Sequence, residues 1–326
     1  MSPSPLAAVT AEAVATAARR IAPHVRRTPL DLTRALGPTL AFKAEHFQRT
    51  GSFKFRGALN RLLALEPSAR RRGVTTASTG NHGIGVATAG ALLAVPVTVF
   101  LAEDTDRAIV DRLRGLGAEV VPTPGGPLEA ERAARRTAEA DGRSFVSPYN
   151  DPLVVAGQGT VALESLEQLG EIAWDGLDAV VVAVGGGGLI SGIATWIDHA
   201  APQVRVVGAQ PAQDAAMHAS VRAGRVVEVD AGPTLSHSTA GGLEDDTITL
   251  GLCRTRVDEW IEVSEEEIAG AVRALLEVDS QLVEGAAGVA FAAAARWAGA
   301  HPGSRVLVIS CGARLTPGEL RRVLAA

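Results

Sequence analysis

Lysine is almost missing from this chain of 326 residues: of 31 basic side chains only Lys43 and Lys54 are lysine, and the rest are arginine. Cysteine is as scarce, with Cys253 and Cys311 alone, which excludes a disulfide framework and a cysteine-rich zinc site. No apolar run reaches the roughly 18 residues of a membrane span, and Arg19, Arg20, Arg26 and Arg27 interrupt the Ala-rich N-terminal stretch. Neither a membrane span nor a signal peptide is expected. Positive charge is not in excess either; a formal net charge of −5 argues against a general nucleic-acid binder. With 47% hydrophobic and 21% charged residues, the chain is the opposite of a disordered one. A soluble, cytoplasmic α/β protein is expected, of about two domains at roughly 150 residues each or one large unit.

The lysine shortage has chemical content. Where so few lysines remain, a site that needs an amine able to lose its proton is one reason to retain them, because guanidinium cannot do this; chance retention is the other. Along the chain, short apolar runs alternate with Ala/Leu-rich helical patterns. Candidate strands are 74–77, 95–101, 118–121, 179–184, 204–209 and 306–310, and candidate helices 84–93, 108–116, 127–140, 160–169 and 189–200. Ser264 and Glu267 have capping-box spacing ahead of a further helix. Continuous rather than alternating strands, each followed by a helix, predict parallel sheets buried on both faces. The turn-rich segment 147–152 marks a domain crossing, and 232–242 reads as a loop over a site or at an interface. In open parallel sheets ligands bind beyond the carboxyl ends of strands, so the residues after each strand matter most.

Three such segments stand out. Gly185, Gly186, Gly187 and Gly188 lie between a strand and a helix, where amides and helix dipole favour phosphate; a flexible turn is the alternative. Ser78, Thr79, Gly80, Asn81, His82 and Gly83 have the hydroxyls, amide and open backbone to hold a carboxylate and a ring oxygen; a plain helix cap is the alternative, and His82 alone reads as structural. Ser310, at the end of the last strand, could donate to a ring nitrogen or merely support a turn. Lys54, between Phe53 and Phe55 in a Gly/Ser-rich helix start, has surroundings that desolvate an amine toward the neutral nucleophile an imine needs. Lys43 is explained by an ordinary ion pair with Glu45. Together these residues describe a pocket for pyridoxal phosphate.

The segments 51–60, 78–83, 156–160, 185–188, 283–285 and 310–312 resemble, in order and across essentially the whole chain, the fold-type II pyridoxal-phosphate enzymes of the serine/threonine dehydratase and serine racemase branch. The resemblance implies two open, mostly parallel sheets flanked by helices, with a large cofactor-binding domain at 1–72 and 151–326 and a small substrate-carboxylate domain at 73–150. It implies that Lys54 carries the cofactor in imine linkage and acts as the α-proton base, with Phe53 against the ring. Asn81 would bond the 3-oxygen, Gly185–Gly188 the phosphate, and Ser310 the pyridine nitrogen, a hydroxyl partner that favours elimination. Ser78, Thr79, Gly80 and His82 would form the carboxylate loop, while Glu284 matches a glutamate near the cofactor. Serine or threonine would lose water and ammonia to give a 2-oxo acid, and the resemblance implies a homodimer, as in relatives.

Departures bear on specificity. Thr79 stands where the racemase pattern has serine and many dehydratases alanine, so it is the candidate second acid/base of a racemase. Tyr149 occupies a position aromatic in dehydratases. Gln210 and Ala216 replace the two carboxylates of the branch's divalent-cation site, so no tight metal is expected. His237 and Ser238 stand where Asp-Gly is common, bordering the substrate or a dimer contact. No C-terminal regulatory domain is expected after Ser310. The alternatives are an amino-acid racemase, a β-replacement enzyme of the cysteine-synthase kind, and a non-enzymatic binding module with a degenerate site.

Overall fold

Ten strands divide between two sheets in the computed structural model, which describes residues 5–78, 80–174 and 176–325. The strands are β1 (Leu30–Leu32), β2 (Leu40–Ala44), β3 (Val74–Ala77), β4 (Val97–Ala102), β5 (Glu119–Thr123), β6 (Ser144–Phe145), β7 (Leu177–Ala183), β8 (Arg205–Pro211), β9 (Glu259–Val263) and β10 (Arg305–Ser310). The larger sheet has the order β1-β2-β10-β7-β8-β9 and is parallel except for the β1–β2 pair; the smaller, β5-β4-β3-β6, is wholly parallel. This is the expected α/β architecture of two mostly parallel sheets. Helices follow most strands, and the runs of Val in β7 and β10 are buried throughout, as strands covered on both faces must be.

The expected strands all form, with ends shifted by a few residues, whereas β1, β2, β6 and β9 were not anticipated. The reasons are local. β6 has two residues and β1 three, too short for a periodic signal. β9 carries Glu259 and Glu262 on a sheet edge, and β2 carries Lys43, fully buried inside an otherwise apolar strand. Lys43 also corrects the expected ion pair. Its ammonium meets Glu164 at 2.5 Å and donates to Gln168 Oε1 and Thr28 O, because Glu45 is occupied by the Arg56 guanidinium at 2.7 and 2.8 Å.

The helix Pro152–Glu171 is longer than the pattern suggested. Gly157 and Gly159 depress its helical signal, yet both are contact points. A Cβ on Gly157 would lie 2.6 Å from Gly57 Cα, and one on Gly159 2.7 Å from Gly192 O. Glycine there lets three helices cross backbone to backbone, holding the Lys54–Leu63 and Gly188–Ala200 helices against a common support.

That arrangement fixes the site. β10 lies between β2 and β7, so the segments following these three adjacent strands emerge side by side, and the end of β3 in the smaller sheet opens onto them.

Candidate active site

Lys54 begins its helix immediately beyond a segment pinned to the end of β10. Ser52 bridges Gly312, the Phe53 N–H donates to Cys311 O at 3.1 Å, and the Ala313 N–H donates to Gly51 O at 2.9 Å. The ammonium donates to Pro148 O at 3.1 Å and lies 5.2 Å from the centre of the Phe53 ring. Burial lowers its pKa from 10.5 to about 8, against the opposing influence of Cys311 and Glu284. It therefore opens on the cavity as an amine that is partly neutral near physiological pH.

The four glycines follow β7 and line the same cavity, of about 790 Å³. Gly187 has φ +81 in the left-handed region, and the helix it precedes has no side-chain cap, so its first-turn amides are left for an anion. The turn is closely confined: a Cβ on Gly186 would enter the Tyr149 ring, and one on Gly185 would lie 3.0 Å from the Thr239 backbone. Tyr149 thus braces the turn with its ring, while its hydroxyl accepts from the Glu244 N–H at 3.0 Å.

Across the cavity, Ser78 follows β3 and its hydroxyl accepts from the Gly80 N–H at 3.1 Å; Thr79 lies outside the described residues. Asn81 starts the helix Asn81–Leu93. Its amide nitrogen donates to both carboxylate oxygens of Glu284 at 3.0 Å and to Ser238 Oγ at 3.3 Å, leaving Oδ1 buried without a partner. Burial raises the Glu284 pKa, opposed by the bonds from Asn81 and Ser238. The His82 ring bonds Val146 O through Nε2 at 3.0 Å, and its other nitrogen is buried and unpaired. Burial and the nearby Lys54 charge push its pKa down to about 3, so it is a neutral ring donating to a carbonyl.

Lys54, Phe53, Ser78, Gly80, Asn81 and His82 line one cavity with Tyr149, the glycine turn, Glu284, His237 and Ser238. Ser310 does not join them. It is fully buried, and its hydroxyl bonds His46 Nδ1 at 2.7 Å, while the next residue, Cys311, lines the cavity in its place. His237 lies at the rim, exposed and 3.3 Å from a Glu319 oxygen. The cavity-lining residues Arg314 and Glu244 escaped the sequence reading, as did His46 behind Ser310. Arg314 follows the third post-strand segment by four positions, a cue that was available; Glu244 and His46 carried none.

These residues fit pyridoxal phosphate. The uncapped, Cβ-free turn suits its phosphate, the amine near pKa 8 suits its aldehyde, and the orphaned Asn81 Oδ1 suits a ring hydroxyl. Known proteins agree. The model of the family described as pyridoxal-phosphate dependent enzyme matches residues 21–312. An L-threonine ammonia-lyase of Geobacter sulfurreducens is 44% identical over 84% of this chain and 68% of its own length, and one of Thermotoga maritima 38% identical over 97% and 78%. The structure of maize serine racemase superposes with a TM-score of 0.89 at 29% identity, covering 98% of this chain and 97% of that one. The chain belongs to the pyridoxal-phosphate dependent enzymes, in their fold-type II serine/threonine dehydratase and racemase branch.

Proposed function

We propose that the protein is a pyridoxal-phosphate-dependent ammonia-lyase that converts a small β-hydroxy L-amino acid, threonine or serine, into a 2-oxo acid and ammonia. The observation that carries this is Lys54, a buried amine with pKa about 8, in one cavity with an uncapped four-glycine turn. The threonine ammonia-lyase relatives support the substrate class.

In this reading Lys54 holds the cofactor, Phe53 packs beside it, Gly185–Gly188 take its phosphate and Asn81 meets its 3-oxygen. When bound, pyridoxal phosphate supplies the electron sink that makes the α-proton of an amino acid acidic. The free Lys54 amine would take that proton; its depressed pKa makes it a usable base near neutrality. Ser78, Gly80 and His82, with Thr79 between them, orient the substrate carboxylate. Tyr149, His237 and Ser238 border the side chain. Glu284 fixes Asn81, and Ser310 would serve the ring nitrogen only if its hydroxyl turned away from His46.

The segment 73–150 works as the substrate-carboxylate unit and 1–72 with 151–326 as the cofactor unit, a division supported by the confinement of the smaller sheet to β3–β6. A homodimer is supported by Leu32, Phe47, Val278 and Leu282, which are exposed on segments joined by Arg34 to Val278 O and by His46 to Gln281. Two free thiols fit a reducing cytoplasm. The test is 2-oxo acid release from L-threonine and L-serine by the purified, cofactor-loaded protein. Release supports the lyase; loss of optical purity without release would replace it with the racemase.

A further inference from the structure

Arg314 lies at the cavity wall, where its charge helps to hold down the pKa of Glu284 without forming an ion pair with it. Its backbone N–H donates to Glu284 Oε2 at 3.0 Å, but among the described residues its guanidinium has no ion pair, and its Nε is buried without a hydrogen-bond partner. The group lies against the carboxylate loop. A Cβ on Gly80 would be 2.9 Å from Nη2 and 3.4 Å from Cζ, so the absence of a side chain at Gly80 is what admits it. Gly80 immediately precedes the helix Asn81–Leu93, which has no side-chain cap. A guanidinium with an unsatisfied donor and an uncapped helix start therefore share one cavity with Lys54.

A buried donor without a partner is costly, and the cost falls when an acceptor arrives to order the group. The anion of matching size is a carboxylate, which accepts from a guanidinium in a fork geometry that a neutral amide cannot reproduce. We propose that Arg314 is the counter-charge for the α-carboxylate of the substrate, making this site selective for amino acids over their amides. The inference rests on the proposed role of the Ser78–His82 loop. Because Gly80 separates the guanidinium from nothing bulkier than backbone, charge and loop amides act on the same carboxylate.

The test uses holoenzyme and two unreactive ligands, L-alanine and L-alaninamide, with binding followed by the change in the cofactor absorbance band. Arg314→Met is expected to weaken L-alanine binding roughly 10- to 100-fold while leaving L-alaninamide binding unchanged. Arg314→Lys, which keeps a point charge without the fork, is expected to restore part of the loss. Equal weakening of both ligands would overturn the inference in favour of a purely structural arginine, as would no weakening of either. If Arg314→Met spares L-alanine but weakens L-aspartate, the guanidinium serves a side-chain carboxylate and the α-carboxylate assignment is wrong. Failure of the functional reading is separate: the wild-type protein would then show no cofactor band at all.

Discussion

Asn81 and Glu284 join the two halves of the site. The Asn81 amide donates at 3.0 Å to each oxygen of the Glu284 carboxylate, linking the start of the helix after β3 in the smaller sheet to the residue that precedes the helix Gly285–Ala300 in the larger. Glu284 closes the arrangement by accepting from the Arg314 N–H, while a Cβ on Gly312 would lie 2.8 Å from its carboxylate. A buried carboxylate is tolerated only with such donors around it.

Removing the donor should therefore be costly. Asn81→Ala leaves Glu284 buried with fewer bonds and is expected to reduce unfolding free energy by about 1–3 kcal/mol, measured by denaturant titration of the apoprotein. Asn81→Asp, which faces one carboxylate with another, is expected to cost more. An Asn81→Ala protein as stable as wild type would mean that the bond contributes nothing.

Cofactor attachment should follow the ionisation of Lys54. Its pKa is lowered to about 8, so the neutral, reactive fraction grows as pH rises through 8, from roughly one-tenth at a unit below to nine-tenths at a unit above. The initial rate of loading of the apoprotein, followed by absorbance, is expected to increase severalfold between pH 7 and 9. A rate still climbing steeply near pH 10 would show an amine of ordinary basicity.

Gly186→Ala places a methyl group in the Tyr149 ring. The overlap displaces either the ring or the turn, and cofactor affinity is expected to fall by about 1–3 kcal/mol, measured by equilibrium titration with pyridoxal phosphate. The double variant Gly186→Ala, Tyr149→Ala is expected to recover part of the loss, which identifies the ring as the obstacle.

Lys43 is a lysine of the other kind. It is fully buried and paired with Glu164, and burial is the main cause of its lowered pKa. Lys43→Met removes one of the two cations at Glu164, which keeps Arg56 at 3.0 Å, and leaves Thr28 O and Gln168 short of a donor; it is expected to destabilise the protein by about 1–3 kcal/mol, read as a lower unfolding midpoint. The fraction that remains folded should still show the cofactor band.

Much of the site was legible because the chemistry sits where parallel strands end. The glycine turn after β7 and the Ser78–Asn81 segment after β3 were both visible as small-residue runs between an apolar strand and a helix. Lys54 was visible because lysine is so rare. What sequence could not carry was pairing across the fold. Glu45 is two residues from Lys43, but its carboxylate is taken by Arg56, so the partner of Lys43 comes from a helix more than 100 positions away. Ser310 sits where expected at the end of β10, yet its rotamer follows His46, a residue without any motif. Arg314 was one arginine among many until the fold placed it on Gly80.

The central claim is that Lys54 carries the cofactor, and the scarcity of lysine makes its test unusually clean. Holoenzyme is reduced with borohydride, digested, and its peptides weighed for a pyridoxyl phosphate adduct. With only Lys43 and Lys54 in the chain, the account predicts the adduct on the peptide containing Lys54 and none on that containing Lys43. An adduct on Lys43, or no adduct on either lysine in a protein that shows the cofactor band, would contradict it.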